Sequence, residues 1–299
     1  MTNRDSTQEH PAHYFSRTEK QSRKAPVSVP EREKMPMKIG FIGCGNMARG
    51  MIRGILSSGT VAPDDLTASA RSAATQQMIR DELRIACASN SQTAAGSDIL
   101  FLAVKPQVYE EVIREIRSVV REGAIIVSIA PGKTLAWLRE QFGRDLKFIR
   151  TMPNTPAMVG AGMTGVCPGG GVTQEDLESV MALLRSFGMA EIVPEKLLDV
   201  VTSVSGSSPA YVFLFIEAMA DGAVADGMPR SQAYRFAAQA VLGSARLMLE
   251  TGMHPGELKD MVCSPGGTTI EAVRILEEKG LRSAVIEAEK ACVKKARGM

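Results

Sequence analysis

The sequence predicts an α/β protein in two parts: a parallel β-sheet covered by helices over residues 37–193, and an all-helical part over residues 194–299. Three observations carry this expectation. Short, nearly unbroken apolar runs alternate with amphipathic stretches through the first part, the pattern of strands buried on both faces. The first of these runs leads directly into a glycine turn and an apolar helix. Beyond Pro194 the strand signals stop and helical spacing takes over. With 299 residues, 44% of them hydrophobic and 23% charged, the chain has the apolar content for two cores of ordinary size.

Residues 1–36 stand apart. They are rich in Ser, Thr, Gln, Pro and charge, with seven basic and five acidic residues and no apolar periodicity. No apolar segment follows the basic ones, and Asp5, Glu9, Glu19, Glu31 and Glu33 are out of place in a transit peptide, so a flexible tail is expected. The segment also holds His10 and His13, leaving His254 as the one histidine of the body. A lone histidine beside Pro255 with no relay partner reads as structural or surface-exposed.

The strands follow in order. Met37–Gly43 is the first, and Leu66–Ala70, Leu83–Ala88, Asp98–Val104, Gly123–Ser128 and Leu146–Arg150 continue the series, with helices between them at 47–56, 107–120 and 134–142. A short strand is expected at Ala190–Val193. Helices are then expected at 195–203, 208–226, 230–251, 256–262, 268–279 and 281–296, with Gly227 and Pro229 as stop and start signals. In a parallel sheet of this kind ligands sit at the C-terminal ends of the strands. Val104-Lys105-Pro106, Ser128–Gly132 and Met152–Pro156 occupy those ends, although Pro, Gly and Asn are also ordinary loop residues.

The glycine turn reads Gly43-Cys44-Gly45-Asn46-Met47-Ala48, the GxGxxA form of the dinucleotide fingerprint, in the strand–turn–helix setting the motif requires. Gly43 permits the tight turn, Gly45 lets the backbone approach a pyrophosphate, and Ala48 lets the helix pack closely on its strand. The second strand ends in Ser69-Ala70-Arg71-Ser72, with no acid placed to bind a ribose 2′-hydroxyl. Hydroxyls and a guanidinium suit a 2′-phosphate, so NADPH is the expected cofactor, with NADH a weaker one.

In the helical part, residues 208–226 are apolar around most of their circumference, and the Ala, Gly and Met content of 236–248 allows close helix approach. Such a helix is buried on several sides, in a core or against another subunit, and a homodimer or larger assembly is expected. The run Ser264-Pro265-Gly266-Gly267-Thr268-Thr269 is a glycine loop opening a helix. Its free N–H groups and helix dipole suit a small carboxylate, while the same residue types also make a plain helix cap.

Composition excludes other classes. Net charge is +2, too small to point to nucleic acid. The apolar run at 211–216 is broken by Glu217, so no spanning helix is expected. Five scattered cysteines with no CxxC pair fit reduced thiols in a cytoplasmic protein and no bound metal.

At these motifs the chain closely resembles the Δ1-pyrroline-5-carboxylate reductase family over residues 37–299. The stretches that carry the likeness are Gly40–Ala48, Phe101–Pro106, Arg150–Pro156, Ser205–Val212, Leu258–Asp260 and Ser264–Ile270. The resemblance implies a Rossmann-type domain at 37–193 and an all-helical dimerisation and substrate-binding domain at 194–299. It implies NADPH-dependent reduction of (S)-1-pyrroline-5-carboxylate to L-proline, the last step of proline biosynthesis, by dimers that often assemble into decamers. It assigns the ring nitrogen to Thr269 and the substrate carboxylate to Ser264, Gly266, Gly267 and Thr268, with the loop of one subunit completing the site of its partner. It places Asn90 at the adenosine ribose, Ala103, Val104, Lys105, Pro106 and Ala130 around the nicotinamide, and Ser69–Ser72 at the 2′-phosphate. Two positions depart from the family pattern. Pro131 stands where Ala is common and removes a backbone N–H near the cofactor, and Ser208 stands where Gly is usual. Two other readings compete: a reductase of a different small carboxylate, which would want a lysine donor such as Lys259, and a non-catalytic NADP-binding sensor.

Overall fold

A computed structural model describes residues 37–298; the expected tail, 1–36, lies outside the described residues. One eight-stranded sheet organises the first half. Its strands are β1 (Ile39–Ile42), β2 (Leu66–Ser69), β3 (Ala86–Cys87), β4 (Ile99–Leu102), β5 (Ile125–Ser128), β6 (Lys147–Met152), β7 (Gly162–Pro168) and β8 (Gly188–Ile192). They lie in the order β3-β2-β1-β4-β5-β6-β7-β8. Its helices are α1 (Asn46–Ser58), α2 (Ala73–Met78), α3 (Asn90–Ala95), α4 (Tyr109–Ile116), α5 (Leu135–Phe142) and α6 (Gln174–Arg185).

Alternation along each strand builds a core on each face of the sheet. Ile39 and Phe41 of β1 join Ile99 and Phe101 of β4 on one face, where the two phenyl rings stack at 4.6 Å. Ile42, Leu100 and Leu102 point to the other face and meet Tyr109, Ile113 and Phe142.

The six strands expected to be parallel are parallel, and the sheet continues past them with a reversal. The first six strands are parallel, but β7 runs antiparallel to β6, and β8 is parallel to β7. The chain reverses through the 3-10 turn Thr155–Val159, too short for a crossover helix, so an antiparallel neighbour is the available pairing. The expected strand at 83–88 shrinks to two residues, because Leu83 belongs to a π turn, Ile79–Leu83, that packs it and Ile79 into the core.

The second half is helical, with α7 (Leu198–Val201), α8 (Ser208–Ala225), α9 (Arg230–Thr251), α10 (Pro255–Val262), α11 (Thr268–Glu278) and α12 (Leu281–Ala296). The expected break near 203–208 is absent. Thr202–Ser207 is a π segment that joins α7 to α8, and Glu195–Ala225 is one helix of 31 residues. By length and composition that helix is long and apolar enough to cross a membrane, so Glu217 does not interrupt it as expected. Little of its apolar surface is covered within the chain. Phe213 and Leu214 are 65% and 67% exposed, and Phe236 and Leu249 of the neighbouring α9 are exposed too.

Arg150 ties the halves together. Its guanidinium, carried within β6, is buried and reaches Glu195 at 3.2 Å and Asp199 at 3.4 Å. Glu195 also accepts the Leu135 N–H at 2.7 Å. The first turns of the long helix are thereby fixed to β6 and α5.

Candidate active site

The turn between β1 and α1 is shaped by two glycines with different jobs. Gly43 has φ +93°, and a Cβ there would stand 2.7 Å from Val104 Cγ1 and 2.9 Å from the Ala103 carbonyl oxygen. The end of β4 is therefore pressed against the turn, which only glycine admits. Gly45, the N-cap of α1, has an ordinary φ of −77° and makes no side-chain cap, and no acid occupies the first turn. A Cβ on Gly45 would meet nothing within 4 Å. The first N–H groups of a 13-residue helix thus open onto free space, a cradle that fits a pyrophosphate. Asn46 is exposed, Met47 half-buried and Ala48 fully buried under the helix. Cys44 is buried as well, and burial pushes its thiol up to about 11, so it stays protonated and inert.

A relay of hydrogen bonds holds the turn. The Gly43 N–H donates to Ser69 Oγ at 3.3 Å, the Ser69 hydroxyl donates to Asn90 Oδ1 at 2.6 Å, and Asn90 Nδ2 donates to Glu115 at 2.8 Å. Ser69 ends β2, Asn90 opens α3 behind a Ser89–Gln92 capping box, and Glu115 lies on α4. Nothing in the sequence marks Glu115 for this role, because a glutamate on an amphipathic helix looks like any solvated charge. Arg71 is exposed beside this relay and lies 3.5 Å from Glu111. Ser72 accepts the Thr75 N–H and caps α2.

Ala103–Pro106 follows β4, and Pro106 opens a 3-10 turn that leads into α4. Tyr109 is fully buried there and donates to the Leu102 carbonyl, while Ser128 Oγ donates to its hydroxyl at 3.4 Å. Burial pushes the Tyr109 phenol well above its ordinary range, so it stays neutral. Ala130 is buried just past β5, and Pro131 after it is exposed. The expected cofactor residues therefore share the C-terminal edge of the sheet.

The second glycine loop is built differently. Gly266 turns with φ +66°, the Gly267 N–H donates to the Ser264 carbonyl at 3.0 Å, and a Cβ on Gly267 would strike Ser264 Oγ at 2.3 Å. Gly267 is the N-cap of α11 and again provides no side-chain cap. Thr268 is exposed and Thr269 half-buried in the first turn. Lys259 pairs with Asp260, whose carboxylate raises the ammonium above its usual range. That holds Lys259 protonated, a state able to donate but already engaged. His254 caps α10, its Nδ1 accepting the Gly256 N–H at 3.1 Å, which is the structural role expected of it.

Within one chain these two sites stand apart. Among the described residues, α11 packs chiefly on α12, and neither α10 nor α11 packs substantially on any element of the sheet half. No cluster of three or more metal-ligating side chains occurs among the described residues.

Comparison with known proteins places both halves. Residues 195–299 match the family model "pyrroline-5-carboxylate reductase dimerisation", and residues 38–132 match "NADP oxidoreductase coenzyme F420-dependent". The chain is 54% identical over 263 residues to the pyrroline-5-carboxylate reductase of Escherichia coli, covering 88% of this chain and 98% of that one. The solved pyrroline-5-carboxylate reductase of Coxiella burnetii superposes with a TM-score of 0.83 at 33% identity, covering 88% of this chain and 98% of that one. The pyrroline carboxylate reductase of Plasmodium falciparum, solved with NADP bound, gives 0.80 at 29% identity, with 88% and 97% covered.

Proposed function

The chain belongs to the pyrroline-5-carboxylate reductase family, and from that premise we propose a mechanism for this oxidoreductase: NADPH-dependent reduction of 1-pyrroline-5-carboxylate to L-proline at a site shared between two subunits. The observation that carries the proposal is the pair of uncapped helix N-termini, at Gly45 and Gly267. One suits the pyrophosphate of a dinucleotide and the other a small carboxylate.

NADPH, when bound, supplies the hydride. The N–H groups from Gly43 and Cys44 through Gly45, Asn46, Met47 and Ala48 hold its pyrophosphate, with Ser69 and Arg71 at the 2′-phosphate and Asn90 at the ribose. Ala103, Val104, Lys105, Pro106 and Ala130 wall the nicotinamide. Ser264 and the backbone of Gly266, Gly267 and Thr268 grip the substrate carboxylate and fix the ring's orientation. The Thr269 hydroxyl hydrogen-bonds the ring nitrogen and orients it; a ring that arrives as the neutral imine takes one proton from water through this hydroxyl as hydride adds to C5, and a ring that arrives protonated needs none. A protonated cyclic imine is already electrophilic, so positioning does most of the work and no histidine is required.

The exposed apolar faces of α8 and α9 are covered by a second copy, which brings its α11 loop over the nucleotide edge. This places the long helix in a dimer core rather than a membrane. The domain boundary we propose falls at 193/194, and five dimers forming a decamer is the assembly we propose, in the cytoplasm and without nucleic acid. Light scattering after size exclusion separates dimer from decamer.

The test is NADPH consumption with pyrroline-5-carboxylate, run beside a panel of keto and hydroxy acids. Turnover confined to the cyclic imine supports the assignment. Faster turnover of a keto acid would transfer it to the competing class of small-carboxylate reductases.

A further inference from the structure

The long helix changes pitch at Thr202–Ser207, where six residues run as a π segment. Such segments are rare and concentrate at functional sites, and they persist only where the surroundings hold them. This one is held from two sides. From α12, Glu289 accepts the Ser203 hydroxyl through both its carbonyl and its carboxylate, and Cys292 Sγ donates to Ser207 Oγ at 3.3 Å. From the sheet, Asn154 Nδ2 donates to the Ser205 carbonyl at 3.0 Å, while Asn154 Oδ1 accepts the Met163 N–H at 2.8 Å. The Met152 side chain closes the same seat, since a Cβ on Gly206 would stand 2.9 Å from its terminal carbon.

The place of this seat matters more than its strength. Asn154 follows β6, whose Thr151 hydroxyl donates at 3.0 Å to the carbonyl of Ser128, the last residue of β5. Ala130 lies two residues beyond Ser128. The π segment therefore rests on the edge of the sheet where the nicotinamide wall stands. Asn154 is 7% exposed, and its planar amide offers one donor and one acceptor to partners that need one of each. No other side chain of its size matches both.

We propose that Asn154 is a positioning residue for the reduction. It clamps the Ser205 carbonyl, and with it the π segment, against the nicotinamide end of the sheet, so that the helical half and the nucleotide half meet at a fixed separation. The proposal rests on the reductase reading given above.

Its experiment compares the full chain with Asn154→Asp and Asn154→Ala. Aspartate keeps the acceptor for Met163 N–H and loses the donor to Ser205, so it separates anchoring of β7 from clamping of the helix. Steady-state kcat and KM for pyrroline-5-carboxylate, calorimetric NADPH Kd, melting temperature and oligomer size are measured on each. Asn154→Asp is expected to keep NADPH Kd within about twofold and the same oligomer, with kcat down about tenfold or more. Wild-type kcat in Asn154→Asp overturns the proposal, as does a loss confined to melting temperature. If Asn154→Asp does not fold, Met152→Ala loosens the same seat without touching Met163 N–H, and an undiminished kcat there overturns it equally. A wild-type chain with no turnover of pyrroline-5-carboxylate ends the reductase reading and this proposal together, whereas wild-type turnover beside an undiminished variant ends this proposal alone.

Discussion

Replacing Gly45 with serine should improve the fold and damage the enzyme. The backbone there, φ −77° and ψ −173°, suits any residue, and a Cβ would touch nothing. Serine is also a better N-cap than glycine, by a few tenths of a kcal/mol. The melting temperature of Gly45→Ser without cofactor should therefore stay level or rise slightly. The same side chain would fill the cradle and compete for the first-turn N–H groups. A lost charge-assisted hydrogen bond is worth about 1.5–3 kcal/mol, so NADPH Kd should rise roughly 10- to 150-fold. Gly43→Ala should do the reverse in kind. A positive φ costs a non-glycine residue about 1–2 kcal/mol, and overpacking against the Ala103 carbonyl and Val104 adds about 1–3. Its melting temperature should fall by about 5–15 °C. Calorimetric titration and thermal unfolding read both quantities. Unchanged NADPH affinity in Gly45→Ser would refute the assignment of this helix end to the pyrophosphate.

Further predictions concern other parts of the molecule. Arg71→Ala should lower kcat/KM for NADPH by roughly 10-fold or more while leaving NADH nearly unchanged and stability intact, since its pair with Glu111 is exposed; equal losses with both cofactors would remove its role at the 2′-phosphate. Leu214→Asp places a charge on the exposed face of α8 and should give monomers without activity, checked by light scattering; a fully active dimer would contradict the proposed interface. Burial works against ionised Asp176, but the Lys147 ammonium and the Thr173 N–H and hydroxyl outweigh it and depress its carboxyl. A depressed carboxyl stabilises the fold above its unfolded pKa and loses that effect as pH falls through the folded one. Asp176→Asn should therefore melt below wild type at neutral pH, with the gap closing in acid; a gap independent of pH would contradict this. Cys44, with its thiol near 11, should resist alkylation at about pH 8, where only about one molecule in a thousand carries its thiolate; mass spectrometry that found it labelled first would contradict its burial.

What the sequence disclosed follows from where local signals coincide with structure. The turn at Gly43–Ala48 was legible because its glycines are needed at fixed spacing between a strand and a helix. Strand β7 was not, because Gly162, Gly165 and Pro168 make it read as a loop until β6 pairs with it. Helix α6 does carry a local signal, the Thr173–Asp176 capping box ahead of Leu177, Val180, Met181 and Leu184. The serines and glycine of 202–207 read as a break, and it takes distant contacts, from Asn154, Glu289 and Cys292 among others, to hold them as a helix. Glu111 and Glu115 gave no sign of their place beside Arg71 and Asn90, since both look like solvent-facing charges of α4. The separation of the two glycine loops within one chain is a tertiary fact that no local pattern encodes.

The most direct measurement follows a label. NADPH deuterated at the transferable position of the nicotinamide C4, incubated with the chain and pyrroline-5-carboxylate, should yield proline carrying deuterium at C5 on a single face, read by NMR. Proline without the label, or with label on both faces, would contradict direct reduction across the two sites.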